Sequence, residues 1–137
     1  MLTKRRRINV AVAVNIFGWT VNKEHSPYRW NVPLESELYR SWDGSMADEA
    51  YPFCGSWSGM GLVVEEMRKD GKYLFDIDEH LDEEGNPDGD LIASFTLDDG
   101  KYESAYGVSE DAPVAVALAA LRALGVAVED VVGEVKA

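Results

Sequence analysis

Apolar residues along the chain recur with two different periods, and the change of period divides it into elements. Ile8, Val12, Ala13, Ile16 and Phe17 follow helical spacing, and Gly18 can supply a left-handed stop. This predicts a first helix from residue 3 or 4 to residue 17, although its β-branched residues also permit a strand. Trp57, Met60, Gly61, Val64 and Met67 repeat the helical pattern behind Ser56, a good N-cap, and Gly71 ends it. Glu65, Glu66, Arg68 and Lys69 fall on the opposite face. The period then drops to two. Tyr73, Phe75 and Ile77 alternate with polar neighbours, interrupted by Leu74, and residues 91–97 place Ala93 and Phe95 on one face. Residues 82–90 read as a long polar turn, Asp98-Asp99-Gly100 as a tight hairpin turn, and 101–108 as a third strand. A last helix is expected after Asp111, with Pro113 in its first turn and Gly125 at its stop. Val114, Ala117, Leu118, Leu121 and Leu124 form its predicted buried stripe, and Ala115, Ala119, Ala120 and Ala123 keep it slim. From Val126 onward the pattern fits either a short strand or a turn.

Residues 19–55 have no clear period. They hold Trp19, Tyr28, Trp30, Tyr39, Trp42, Tyr51 and Phe53, with prolines at 27, 33 and 52. A short strand is expected over 28–32, with irregular chain elsewhere. The aromatics either fill a small core or line a recognition surface, where such rings are favoured. Helix, loop, helix, three-strand meander and helix cannot form a doubly wound parallel sheet. The expected fold is α+β in a single domain over 1–137. An antiparallel sheet of three strands, with room for one or two short additional ones, packs with about three helices.

With 137 residues, 46% of them hydrophobic, the chain can bury one core, and whole-chain disorder is excluded. No apolar run approaches the roughly 18 residues of a membrane span. Lys4-Arg5-Arg6-Arg7 before an apolar stretch imitates a signal peptide, but Asn9 and Asn15 interrupt that stretch and no cleavage pattern follows. The single Cys54 excludes an internal disulfide framework and fits a reducing cytosol. A cytoplasmic location is expected.

The net charge of −12 is unevenly placed. Between Asp76 and Asp111 there are 13 carboxylates and one base, Lys101, so the rest of the chain is balanced. Such a field repels nucleic acid and anionic membrane and attracts basic surfaces.

Three passages resemble small bacteriophage proteins of the ABA-sandwich family. They are Ala13-Val14-Asn15-Ile16-Phe17-Gly18-Trp19, Pro52-Phe53-Cys54-Gly55-Ser56-Trp57 leading into Val63-Val64-Glu65-Glu66-Met67, and the helix from Ala112-Pro113 to Leu121. NinX-like phage proteins share a similar aromatic-Pro-Cys-x-x-Trp passage. The resemblance touches about half of the chain and implies a phage origin, a bacterial host cell, and helices arranged around a sheet. It brings no catalytic motif. The chain departs from the pattern in its long 20–55 region, its enlarged 82–90 turn and its extra tail.

Catalytic readings find little support. Cys54 with His25 or His80 has no spacing that requires a thiol–imidazole pair. Gly55-Ser56-Trp57-Ser58-Gly59 places Trp57 where a nucleophile elbow needs serine, and Gly59-Met60-Gly61 lacks a βαβ setting. Asp76, Asp78, His80 and Asp82 alternate, but the spacing fails the EF-hand order and zinc lacks ligands. Neither a metal, a cofactor nor an enzymatic activity is predicted. Paired carboxylates such as Asp76 and Asp78 would need burial to work as acid and base, and the dense charge points to solvent.

The acidic stretch is either a solubilising surface or a binding surface. In the binding reading Asp76, Asp78, Asp82, Glu83, Glu84, Asp88, Asp90, Asp98 and Asp99 occupy a basic groove on a host protein that handles nucleic acid. The chain would then inhibit a host defence protein, as nucleic-acid mimics do. A second reading is a sponge for a nucleotide signal, with Trp30 and Trp42 stacking the base and the helix start at Ser56 and Ser58 holding phosphate. A third is a phage accessory protein without an inhibitory role.

Overall fold

The computed structural model describes residues 4–22, 24, 29–31, 50–101 and 103–132. Helix α1 (Lys4–Asn15) buries Ile8, Asn9, Val12 and Ala13. Gly18, at φ 72°, turns the chain out of it. Strands β1 (Thr20–Asn22) and β2 (Arg29–Asn31) pair antiparallel as a small hairpin. Helix α2 (Trp57–Arg68) opens on Ser56, whose side chain accepts from the Gly59 amide, the N-cap bond expected of serine. A 3₁₀ turn (Lys69–Gly71) leads into strands β3 (Tyr73–Leu81), β4 (Pro87–Leu97) and β5 (Ser104–Ser109), an antiparallel meander in the order β3-β4-β5. Helix α3 (Ala112–Ala123) and a single turn of helix, α4 (Val128–Val132), complete the described chain.

The layers are built on α3. One side of it lies against β4 and β5, while α1 and α2 cover the other. Every residue from Ala112 to Leu121 is consequently buried, which explains a helix apolar all round its axis. The expected stripe was too narrow, and Leu124, included in it, is largely exposed. The alanines set the spacing between the layers. A Cβ at Gly107 of β5 would overlap the Ala115 carbonyl and lie 2.6 Å from the Ala119 amide nitrogen, so helix and strand touch backbone to backbone.

The face of α2 matches expectation at Met67 and at Met60 and Val64, which pack partly buried against the core, but not at Trp57 and Gly61. Gly59, Val63 and Met67 are buried, whereas Trp57 is 70% exposed and Gly61 faces open space. Gly59 permits the close approach, since a Cβ there would sit 2.5 Å from the Pro52 carbonyl oxygen and 2.7 Å from the Phe53 Cα.

Residues 50–56 are tied to α1 by polar contacts. Asn9 Oδ1 accepts from the Cys54 amide at 2.8 Å, and Arg5 Nη1 donates to the Cys54 carbonyl at 3.1 Å. Arg5 Nη2 also reaches Asp111 Oδ2 at 2.5 Å. Basic residues at a helix N-terminus oppose its dipole, and here one of them pairs with the last carboxylate of the acidic stretch. Around Phe53 the aromatics assemble a core. Phe17 stacks on it at 4.7 Å, while Trp19 meets both Phe53 and Trp30 edge-on at 5.9 and 5.6 Å.

Candidate functional site

Alternation along the meander separates its two faces. Tyr73, Phe75, Ile77, Ala93, Phe95 and Gly107 turn toward α3. The other face presents three cross-strand rows: Leu74, Thr96 and Ser104; Asp76, Ser94 and Tyr106; Asp78, Ile92 and Val108. None of the described elements covers this outer face, and Leu74 and Tyr106 are 49% and 51% exposed. Helices of the described chain therefore lie on one side of the sheet. Of the seven large apolar side chains left exposed among the described residues, Leu74, Tyr106 and Val108 belong to this face, and Leu81 lies just beyond it. That concentration separates it from ordinary scattered surface residues.

The ladder shared by all three strands ends at Leu91, paired on one side with Glu79 and on the other with Ser109. Beyond it β3 and β4 continue as a two-stranded arm, to the pair Leu81–Pro87. The expected long turn is thus corrected. Only 82–86 turns, and 87–90 is strand. Proline is tolerated at Pro87 because it is the first residue of its strand.

A two-stranded ribbon is marginal by itself, and the sequence supports this one locally. Asp82 Oδ1 accepts from the Glu84 and Asn86 amides at 2.9 and 3.0 Å, and the Asp82 amide donates to the Asn86 carbonyl at 2.8 Å. Gly85 takes φ 85° in the same turn. Across the ribbon His80 Nδ1 lies 2.6 Å from Asp88 Oδ2, and Asp88 Oδ1 accepts from the Asp90 amide at 3.0 Å. That amide, followed by His80, holds the Asp88 carboxyl below the usual aspartate range. A register shift between Glu79 and Leu81 adds local twist at the arm's base.

The predicted carboxylates fall into three groups. Asp76 and Asp78 lie on the outer face, and Asp82, Glu83, Glu84, Asp88 and Asp90 on the arm. Asp98 and Asp99 occupy the turn at the other end of β4, an 11-residue strand that spans roughly 35 Å. Asp98 lies two residues beyond Thr96 of the outer face, so this turn adjoins the Leu74 end of that face as the arm adjoins its Asp78 end. Asp82 and Asp88 are partly committed to the arm's own backbone, whereas Glu83 and Glu84 are exposed at its tip.

His80, Asp88 and Asp90 each bring one ligand atom within 4.8 Å of the others. One imidazole and two carboxylates are a donor set that first-row divalent ions accept. The His80–Asp88 contact and the bond from the Asp90 amide to Asp88 already account for their approach.

Of the residues proposed for a nucleotide, three are described. Trp30 is buried in the aromatic core against Trp19, and Trp42 lies outside the described residues. The Ser56 hydroxyl caps α2 and contacts the Pro52 carbonyl, while Ser58 is exposed. Cys54 is fully buried and burial pushes its thiol up to about 11, which suits a structural role. Sequence reasoning missed Tyr106, Val108 and Ile92. Their signal was present, since Ala105 and Gly107 are the small residues of β5 and mark its inward face.

No helix among the described residues is long and apolar enough to cross a membrane. Comparison with protein-family models, with curated proteins and with solved structures finds no match to this chain.

Proposed function

We propose that this chain acts by binding rather than catalysis, as an acidic protein that occupies the basic surface of a nucleic-acid-handling partner. The observation that carries this reading is the joining of the outer sheet face and the arm. Together they hold Asp76, Asp78, Glu83, Glu84, Asp88 and Asp90 beside exposed apolar residues. Carboxylates alone would serve solubility. Carboxylates around an apolar centre have the anatomy of an interface, with a desolvated core and a charged rim. In this reading, which the resemblance to small phage proteins suggests, the partner is a defence protein of a bacterial host and the chain its cytoplasmic inhibitor. The reading needs no cofactor.

Electrostatic steering would dominate association with such a partner. Binding is expected to weaken steeply as salt rises, and DNA is expected to compete with the chain for the partner's basic surface. Displacement of labelled DNA from a captured partner, followed across a salt series, tests this. A partner that holds the chain and DNA together without competition would refute nucleic-acid mimicry.

The nucleotide-sponge reading has less support, because Trp30 is a core residue. Nucleotides are expected to leave the melting temperature unchanged, and a rise on adding them would revive it.

A further inference from the structure

We propose that the outer sheet face is the core of the partner interface, and that it seats an arginine-bearing segment of the partner with Tyr106 as its aromatic anchor. This rests on the reading above that the partner is basic, and it names the place and the side-chain type of the contact.

The face is chemically graded. Asp76, Ser94 and Tyr106 form one row, and neighbouring strands stand about 4.8 Å apart. A carboxylate and an exposed aromatic ring thus flank a small serine, about 10 Å apart. The adjoining row sets Asp78 beside the apolar Ile92 and Val108. On the other side the Thr96 and Ser104 hydroxyls bond each other at 2.6 Å and leave Leu74 as the apolar edge. The position of Tyr106 is fixed from behind, because Arg122 Nη1 of α3 donates to its carbonyl at 2.7 Å.

Charge decides among occupants. A second copy of the chain would set Asp76 and Asp78 against like charge, and nucleic acid would be repelled. Lysine satisfies the carboxylates as a point charge but keeps its hydration. Arginine can pair its planar guanidinium with a carboxylate and also lie flat on a tyrosine ring, being the more weakly hydrated cation. The combination of aspartates with an open tyrosine therefore favours arginine. The arm, with no aromatic ring, contributes only attraction that is indifferent to the kind of base.

Nona-arginine and nona-lysine peptides serve as probes of the full chain, with affinities and backbone amide shifts measured at low salt. Tighter binding of nona-arginine is expected, with the largest shifts at Leu74, Ser94, Tyr106 and Val108. Tyr106→Ala is expected to weaken nona-arginine roughly fivefold and to leave nona-lysine unchanged. Glu83→Lys with Glu84→Lys is expected to weaken both peptides alike.

Shifts confined to the arm, equal affinity for the two peptides, or a neutral Tyr106→Ala would overturn the inference while leaving the basic-partner reading in place. Failure of both peptides to bind would remove both. Concentration-dependent shifts of the same outer-face amides without peptide would assign the face to a second copy and also overturn it.

Discussion

Gly59 and Gly61 stand two positions apart in α2 and should answer alanine in opposite directions. At Gly59 the new methyl meets the backbone of Pro52 and Phe53, which cannot yield as a flexible side chain would. Gly59→Ala should destabilise the protein by about 2 kcal/mol or more. At Gly61 nothing lies within 4 Å, and alanine should stabilise by about 0.5–1 kcal/mol through helix propensity. Denaturant midpoints of the two variants check the pair. Asp88 supplies a pH prediction. Its folded-state pKa is lowered, so its contribution is present above the ordinary aspartate value and is lost as pH falls through the lower, folded one. Hydrogen-exchange protection of the Asp90 amide should decline below about pH 4, and Asp88→Asn should remove that dependence. For Cys54, modification by a thiol reagent at neutral pH should be slow in the folded protein and rapid after denaturation.

Among the elements, α3 and the arm are opposites in stability. Leu121→Ala, in a helix buried on all sides, should cost about 2–5 kcal/mol. Leu81→Ser, at an exposed arm position, should stay within about 0.5 kcal/mol. Urea unfolding of the two variants separates core from arm. The same contrast explains what could be read from the sequence. The Ser56 cap, the change to period two at Tyr73 and the start of α3 after Asp111 are local signals that the structure has. The turn at Asp98-Asp99-Gly100 is longer than the tight hairpin expected, since β5 starts at Ser104 and not at residue 101. The phase of α2 is not local. Trp57 fitted the helical period but faces solvent, because the backbone of 52–53 selected Gly59 and Val63 instead. The arm was hidden for a different reason. Pro87 and Gly89 are turn residues by habit, yet Pro87 opens a strand and Gly89 lies within it at φ 92°. The acidic half of the site was visible as composition. Its apolar half was marked only by the small Ala105 and Gly107 of β5, whose inward direction the contact at Gly107 with α3 establishes.

For the whole molecule, charge and shape coincide. The chain carries −12, the segment from Asp76 to Asp111 accounts for it, and folding divides that segment between an outer face, an arm at one end of it and a turn at the other. The arm adjoins the Asp78 end of the outer face and the turn adjoins its Leu74 end. Charge reversal at either end, by Asp98→Lys with Asp99→Lys or by Glu83→Lys with Glu84→Lys, should therefore weaken binding to a basic partner. The most direct test is capture from a bacterial lysate by the wild-type chain and by the Glu83→Lys/Glu84→Lys/Asp90→Lys variant in parallel. Retained proteins are quantified at low and high salt. A basic, nucleic-acid-binding protein retained by the wild type, released by salt and missing from the variant is the predicted result. Retention of the same proteins by both chains, unaffected by salt, would contradict it.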